Sequence, residues 1–293
     1  MDLASLDAFL AIADSGSFSA AGERLHLTQP AVSKRIAALE AQLGRRLFDR
    51  VGREVALTEA GQALLPRARR ILAELDDTRR ALGNLDAEVG GRLSLATSHH
   101  IGLHRLPPLL RAFSHGHPRA ALDLQFLDSE QAWAQVLHGR VELALTTLGP
   151  AAAPLRAVPV WDDPLEFVVA PDHPLAARGE VALAELAAHP AVLPDANTFT
   201  HRIVAERFAA AGLAPTLRMT TNAMETLKML ASVGLAWSVL PHTLLDAQTT
   251  VLRVPGVRLR RQLGHVTHAG RTLSNAARAF MALLDDAART GGD

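Results

Sequence analysis

Leu27-Thr28-Gln29-Pro30-Ala31-Val32-Ser33-Lys34-Arg35-Ile36 is the stretch whose reading decides the fold. Thr28 is a good helix N-cap, because its hydroxyl accepts from an otherwise unpaired N–H of the first turn. Pro30 fits that turn, where its missing N–H costs nothing. Val32, Ile36 and Leu39 fall on one stripe, with Leu43 near the end and Gly44 to stop the helix. Gln29, Ser33, Lys34 and Arg35 are left outward or lateral. Upstream, Ser17 caps a short helix carrying Phe18, Ala20, Ala21 and Leu25, and Ala21-Gly22 is small enough for a close crossing. Before it, Leu3, Leu6, Phe9, Leu10 and Ala13 recur at helical spacing up to Gly16. A short helix, a tight turn and a helix with a polar, basic outer face form the helix-turn-helix layout. The residue types suit a duplex: Gln can bond adenine twice, and Arg or Lys can reach guanine in the major groove. Ser, Thr and helix N-terminal N–H groups suit phosphate oxygens.

Downstream, 46–50 and 54–57 read as two short strands about a turn at Val51-Gly52-Arg53. Leu47, Phe48 and Leu57 would pack this wing on the helices, leaving Arg50 and Arg53 to lie along the minor groove. The formal net charge is +0, but its distribution matters more than its sum. From Arg24 to Arg53 the bases are Arg24, Lys34, Arg35, Arg45, Arg46, Arg50 and Arg53, opposed by Glu40 and Asp49. A local basic patch still attracts phosphates, since screening acts over about 8–10 Å at cellular salt.

In order, Phe9, Ser17-Phe18-Ser19-Ala20-Ala21-Gly22, Leu25, Thr28-Gln29-Pro30-Ala31-Val32-Ser33, Ile36, Leu39-Glu40, Leu43-Gly44, Leu47-Phe48-Asp49-Arg50 and Leu57-Thr58-Glu59-Ala60-Gly61 resemble the LysR-type transcriptional regulators. The resemblance implies a winged helix-turn-helix domain over 1–58 that binds operator DNA. Thr28, Gln29, Pro30, Ser33, Lys34 and Arg35 fall where that family contacts its operator. Ser17 heads the preceding helix, and Arg50 and Arg53 fall on the family's wing. Pro30 can equally be a helix-start residue and Arg35 an internal ion-pair partner.

Thr58 caps the next helix, with Glu59 favourable in its first turn. Leu64, Ala68, Ile71, Leu75, Thr78, Leu82 and Leu85 repeat in alternating steps of four and three, an a/d seam that predicts pairing with another helix. Pro66 should bend it. The segment 59–90 is therefore read as a linker and dimerisation helix, with Leu64, Ile71, Leu75 and Leu82 at the contact. Two copies would offer two recognition helices to a pseudo-palindromic site. The family resemblance extends this to tetramers and implies RNA polymerase as a further expected partner.

Gly90-Gly91 is a hinge, and the pattern then changes. Expected strands at 92–97, 120–127 and 141–147 alternate with helices at 106–113 and 129–137, which predicts a parallel α/β unit. After Trp161-Asp162-Asp163-Pro164 a second unit offers strands at 165–170, 191–193, 216–220 and 235–240, with helices at 199–211 and 223–233. The stretch 264–268 leads back, and 276–288 is a last amphipathic helix. This resembles the two-lobed, periplasmic-binding-protein-like effector domain of the same family. It would span 91–293, with lobe I at about 91–162 and 267–293 and lobe II at about 163–266, crossing near Asp162 and Val266.

In such folds ligands bind between lobes at strand C-termini and helix N-termini. The candidate edges are Thr97-Ser98-His99-His100, Thr146-Thr147, Thr198 with Thr200-His201, and Thr221-Asn222. Short hydroxyl and amide side chains suit a small polar or anionic effector, although each is also an ordinary helix cap. The first of these edges is similar to the cysteine-regulon branch, whose ligands include sulfur oxyanions. His100 departs from that branch, which usually has a hydroxyl residue there.

His99, His100 and His104 lie close together, with His115 and His117 beyond, but no third ligand stands at a recognised spacing, so no metal is expected. Met219, Met224 and Met229 read as core filling. The chain has no cysteine, which excludes disulfides, thiolate metal sites and cysteine nucleophiles. Neither GxSxG, HExxH nor a phosphate-cradling glycine loop is visible, so no catalytic residue and no cofactor beyond the effector is expected. The acids Asp2 and Asp7 stand where a signal peptide needs bases. No run approaches the roughly 20 apolar residues of a membrane span, so the expected location is the cytoplasm. A solute-binding protein would fit the C-terminal two-thirds but explains none of residues 1–57.

Overall fold

Asp2 opens the first helix, α1 (Leu3–Ser15): its carboxylate accepts from the Ser5 N–H at 2.8 Å and the Ser5 hydroxyl at 2.9 Å. Those bonds, the backbone one first, hold the carboxyl below its ordinary pKa. The structure, a computed structural model, describes residues 1–51, 54–85 and 88–290. The chain divides into two units, Met1–Leu82 and the remainder from Gly83.

In the first unit α2 (Phe18–Leu25) and α3 (Gln29–Leu43) follow α1. Their turn passes through His26, in the left-handed region at φ 55°. Phe9, Ile12, Ala21, Val32, Ile36 and Leu39 bury the three helices against one another. Gly22 is needed at the crossing, since a Cβ there would sit 2.7 Å from the Leu27 carbonyl oxygen. Gly22→Ala should therefore destabilise this unit by roughly 1–3 kcal/mol through overpacking. In calorimetry the first unit's transition should fall while the second stays in place; an unmoved first transition would contradict the close crossing.

The strands β1 (Phe48–Val51) and β2 (Glu54–Leu57) pair antiparallel, Phe48 opposite Leu57. The Glu40 carboxylate accepts from the Leu47 N–H at 2.6 Å and ties the wing's base to α3. Phe48 packs its ring 5.3 Å from Phe9 and 5.8 Å from Phe18. Thr58 donates to the Arg46 carbonyl at 2.7 Å and accepts from the Gly61 N–H at 3.0 Å, opening α4 (Glu59–Gly83). Pro66 lies inside this helix. Of the expected seam, Ala68 is buried and Leu64 half-buried in the unit's own core, alongside Leu72. Leu75 is half-buried, whereas Ile71 and Leu82 are exposed. The first heptad thus anchors the helix to its own domain, and only the later positions remain for a partner.

The second unit begins with β3 (Gly91–Thr97), α5 (His99–His104), α6 (Leu106–Gly116), β4 (Ala120–Phe126), α7 (Ser129–Leu137) and β5 (Leu143–Thr147). β3 is parallel to both β4 and β5. It continues with β6 (Leu155–Val169), α8 (Leu183–Ala188), β7 (Pro190–Leu193), α9 (Phe199–Ala210) and β8 (Thr216–Thr220). Last come α10 (Met224–Ser232), β9 (Ser238–Pro241), a 3-10 turn His242–Leu244, β10 (Thr250–Leu252), β11 (Leu259–His268) and α11 (Asn275–Thr290). One lobe buries Leu93, Leu95, Phe113 and Leu143 against Phe280 on one sheet face, and Trp133 and Val136 against Ala144 and Val266 on the other. The second lobe is built on Phe167, Phe208 and Trp237, the last two stacked at 5.6 Å.

Both lobes share one long antiparallel ladder, β6 against β11. Beyond Leu165 β6 carries β9 and β10, whereas β11 from Leu263 onward carries β5. The chain therefore passes between lobes near Asp163 and near the register shift at Leu263/Gly264. Val266, expected near the second crossing, already lies opposite Ala144 of β5. β6 begins well before the expected 165–170 and runs through Pro159 and Pro164. Pro159 sits opposite Gly264 at the shift, where a missing ladder N–H is tolerated.

Candidate functional site

The first unit places α3 with its N-terminal end open. Thr28 accepts from the Ala31 N–H at 3.4 Å. Thr28, Gln29, Pro30 and Lys34 are exposed; Ser33 and Arg35 are half-buried. Gln29 donates from Nε2 to the Ser33 hydroxyl at 2.9 Å, so both side chains are held on one helix face. Ser17 is half-buried and caps α2, accepting from the Ala20 N–H at 3.3 Å. Arg24 is drawn away from the patch by Asp14 at 3.4 Å, which also meets Arg69 at 3.0 Å. Lys34 and Arg35 form no such ion pair among the described residues, and Lys34 is exposed. Arg50 stands in β1 opposite Val55; its side chain, and Arg53 altogether, lie outside the described residues. Gln, Lys and Arg around an uncovered helix N-terminus can read base edges and hold phosphates.

The second unit places a cleft between its lobes. Ser98, His99, His100, Thr147, Thr198, Thr200 and Asn222 of the expected residues line it together. The others frame it. Thr97 is buried and donates to the Leu145 carbonyl at 2.9 Å, and Thr146 accepts from the Trp133 indole N–H at 3.0 Å. His201 Nδ1 lies 2.8 Å from the Pro194 carbonyl, and Thr221 accepts from the Ala223 N–H at 3.4 Å. Burial in the cleft wall, with Arg261 and His104 nearby, pushes the His100 pKa down to about 3.

Three charged residues, Asp128, Glu130 and Arg261, also line the cleft, and a fourth, Asp163, is buried behind it. Arg261 and Asp163 face each other across the β6–β11 ladder, Nε to Oδ2 at 2.6 Å, with 3% and 1% side-chain exposure. Arg261 also donates from Nη1 to the Thr200 hydroxyl at 3.0 Å. Glu130, at the head of α7, accepts the Phe199 N–H at 2.5 Å, occupying the N-terminus of α9 on the other lobe. Asp128 accepts from the Asn222 amide at 2.8 Å. These two cross-lobe bonds leave a cavity of about 50 Å³. Pockets for drug-sized ligands run to about 300–1,000 Å³, so the closed cleft has room for a few waters or a very small ion. The doublets Asp162-Asp163 and Arg260-Arg261, set in apolar strands, were the signal that could have found the buried pair.

Residues 3–62 match the model of the bacterial regulatory helix-turn-helix protein of the lysR family. Residues 86–289 match that of the LysR substrate binding domain. The chain is a LysR-type transcription regulator. The regulator is 33% identical to the RuBisCO operon transcriptional regulator of Allochromatium vinosum, over 99% of this chain and 97% of that one. It is 80% identical over 108 residues to an uncharacterised HTH-type regulator of Azotobacter vinelandii encoded between ibpB and leuC, covering 37% of this chain and 75% of the relative. Full-length CbnR bound to its target DNA superposes with a TM-score of 0.64 at 25% identity, covering 100% of both chains. The relatives are named transcription regulators, not enzymes, and this chain is a DNA-binding regulator with an effector-binding domain.

Proposed function

We propose that this regulator works in the cytoplasm as a dimer or tetramer, reads its operator through Thr28, Gln29, Pro30, Ser33, Lys34 and Arg35, and responds to a small polar or anionic effector. Ser17 would hold a phosphate, and Arg50 and Arg53 would follow the minor groove. Ile71, Leu75 and Leu82 on α4 supply the apolar edge for a partner helix, Leu64 contributing from the core side. RNA polymerase would then be contacted from the promoter-bound assembly. Among the described residues no helix is long and apolar enough to cross a membrane.

One observation carries the effector's class: the N-terminus of α9 already holds a carboxylate, that of Glu130. A helix N-terminus favours negative charge by up to about 2 kcal/mol in partly buried geometry. A carboxylate or oxyanion effector would take Glu130's place, open the cleft and shift the relative position of the lobes, a change of population that the DNA-binding unit reads. Thr200 and Ser98 would supply further donors, while Thr198 caps the helix and lines the site. A solute-binding protein built on the same lobes leaves the first unit unexplained.

Glu130→Ala vacates that position. A thermal-shift series with acetate, phosphate and sulfate should then show concentration-dependent stabilisation, with apparent affinity about tenfold tighter in the variant. Equal responses from both proteins, or none from either, would dismiss an anionic effector at this helix end.

A further inference from the structure

The sequence places two histidines one helical turn apart on α5 and offers no third ligand near them. The fold brings one from the opposite lobe. Glu225, in the first turn of α10, sets its Oε1 3.2 Å from His104 Nε2. The His100 and His104 rings lie with centroids 4.9 Å apart. One ligand atom from each of His100, His104 and Glu225 falls within 4.8 Å of the other two. His100 is buried, and its Nδ1 has no hydrogen-bond partner; its Nε2 lies 3.2 Å from the Thr243 hydroxyl. His104 and Glu225 are 33% and 42% exposed, which leaves a path for an ion to enter.

We propose that His100, His104 and Glu225 bind a divalent transition metal of the zinc class across the two lobes. Two imidazoles and one carboxylate with an open fourth position for water is a donor set that zinc accepts. At bonds of about 2.1 Å in a tetrahedron the ligand atoms stand roughly 3.4 Å apart. No pair here need therefore close by more than about 1.4 Å, within the reach of side-chain rotation for partly exposed His104 and Glu225. Arg261 and Arg105 both act electrostatically on His100, and the buried charge of Arg261 is matched by Asp163. His99 is not a ligand in this arrangement, because its ring turns to Phe126 at 5.5 Å. Since α5 and α10 belong to different lobes and His100 also lines the cleft, bound metal would hold the lobes together beside the effector.

The test uses the untagged full-length chain, stripped with chelator and titrated with zinc chloride in a calorimeter. One ion per chain should bind with micromolar or tighter affinity, and cobalt(II) should give the visible ligand-field bands of a tetrahedral nitrogen–oxygen site. His104→Ala and Glu225→Gln should each weaken zinc at least tenfold, while His115→Ala, whose ring bonds the Arg111 carbonyl instead, should change nothing. Zinc should raise the second unit's melting temperature in the parent chain and not in Glu225→Gln, the metal-free temperatures of the two being alike. Absence of saturable one-to-one binding, undiminished affinity in both variants, or stabilisation that persists without Glu225 would each overturn the site.

Discussion

Arg261→Leu should lower the stability of the second unit by on the order of 3–5 kcal/mol, the usual cost of breaking a buried ion pair by removing one partner. The reason lies less in the lost attraction than in what stays behind. Asp163, 1% exposed, would keep a carboxylate in the interior with Arg261 gone, and its Oδ1 already has no hydrogen-bond partner. Thr200 would lose its guanidinium partner as well. The pair lies where β6 and β11 pass between lobes, so weakening there should loosen both lobes together. For a domain of this size such a loss corresponds to a drop of roughly ten degrees in melting temperature. Arg261→Leu with Asp163→Leu should recover most of it, because two apolar residues replacing a buried pair are often neutral or better. Calorimetry on the single and double variants measures the difference; a single variant as stable as the parent would show that the pair contributes nothing at the hinge.

Local signals account for how much of this fold the sequence revealed. The first unit was legible nearly residue by residue, because Thr28, Pro30, Gly44 and Thr58 are caps and stops whose effect is confined to one turn. The stripe Val32, Ile36 and Leu39 became the buried face of α3 for the same reason. Asp2 stands before Leu3 as a helix cap, a role that a lone acid beside an unpatterned terminus does not announce. The long ladder was not legible. Trp161-Asp162-Asp163-Pro164 reads as the start of a second unit, and only pairing with β11, remote in sequence, makes one strand of 155–169. The linker seam was legible as a period but not as a partition, because periodicity cannot tell burial in the chain's own core from burial against a second copy.

The cleft divides the same way. Ser98, Thr147, Thr198, Thr200 and Asn222 stood at strand or helix ends and could be anticipated as an edge. Glu130, Asp128 and Arg261 could not, since each gains its role from a partner on the other lobe. Glu225 is the plainest case: its sequence neighbourhood contains no histidine, and it reaches His104 only through the packing of the two lobes.

Gln29→Ala should reduce affinity for the regulator's own operator by roughly tenfold to a hundredfold for each half-site engaged, because a bidentate base contact discriminates by about 1–3 kcal/mol. Affinity for unrelated duplex should stay the same. To reach adenine, Gln29 must exchange its bond to Ser33 for the base, so the penalty falls only where the base is right. Lys34 presents the opposite case. It is exposed, with no ion-pair partner among the described residues, one turn along the same helix. If it neutralises a phosphate, Lys34→Ala should weaken specific and unrelated DNA alike and reduce the slope of log affinity against log salt by about one per bound chain. Two symmetry-related recognition helices double the free-energy loss for a dimer on a pseudo-palindrome. Fluorescence anisotropy with the upstream intergenic duplex and a scrambled duplex, each at several salt concentrations, separates the roles. Equal weakening of both duplexes by Gln29→Ala would mean that α3 grips the backbone there and that the sequence is read elsewhere.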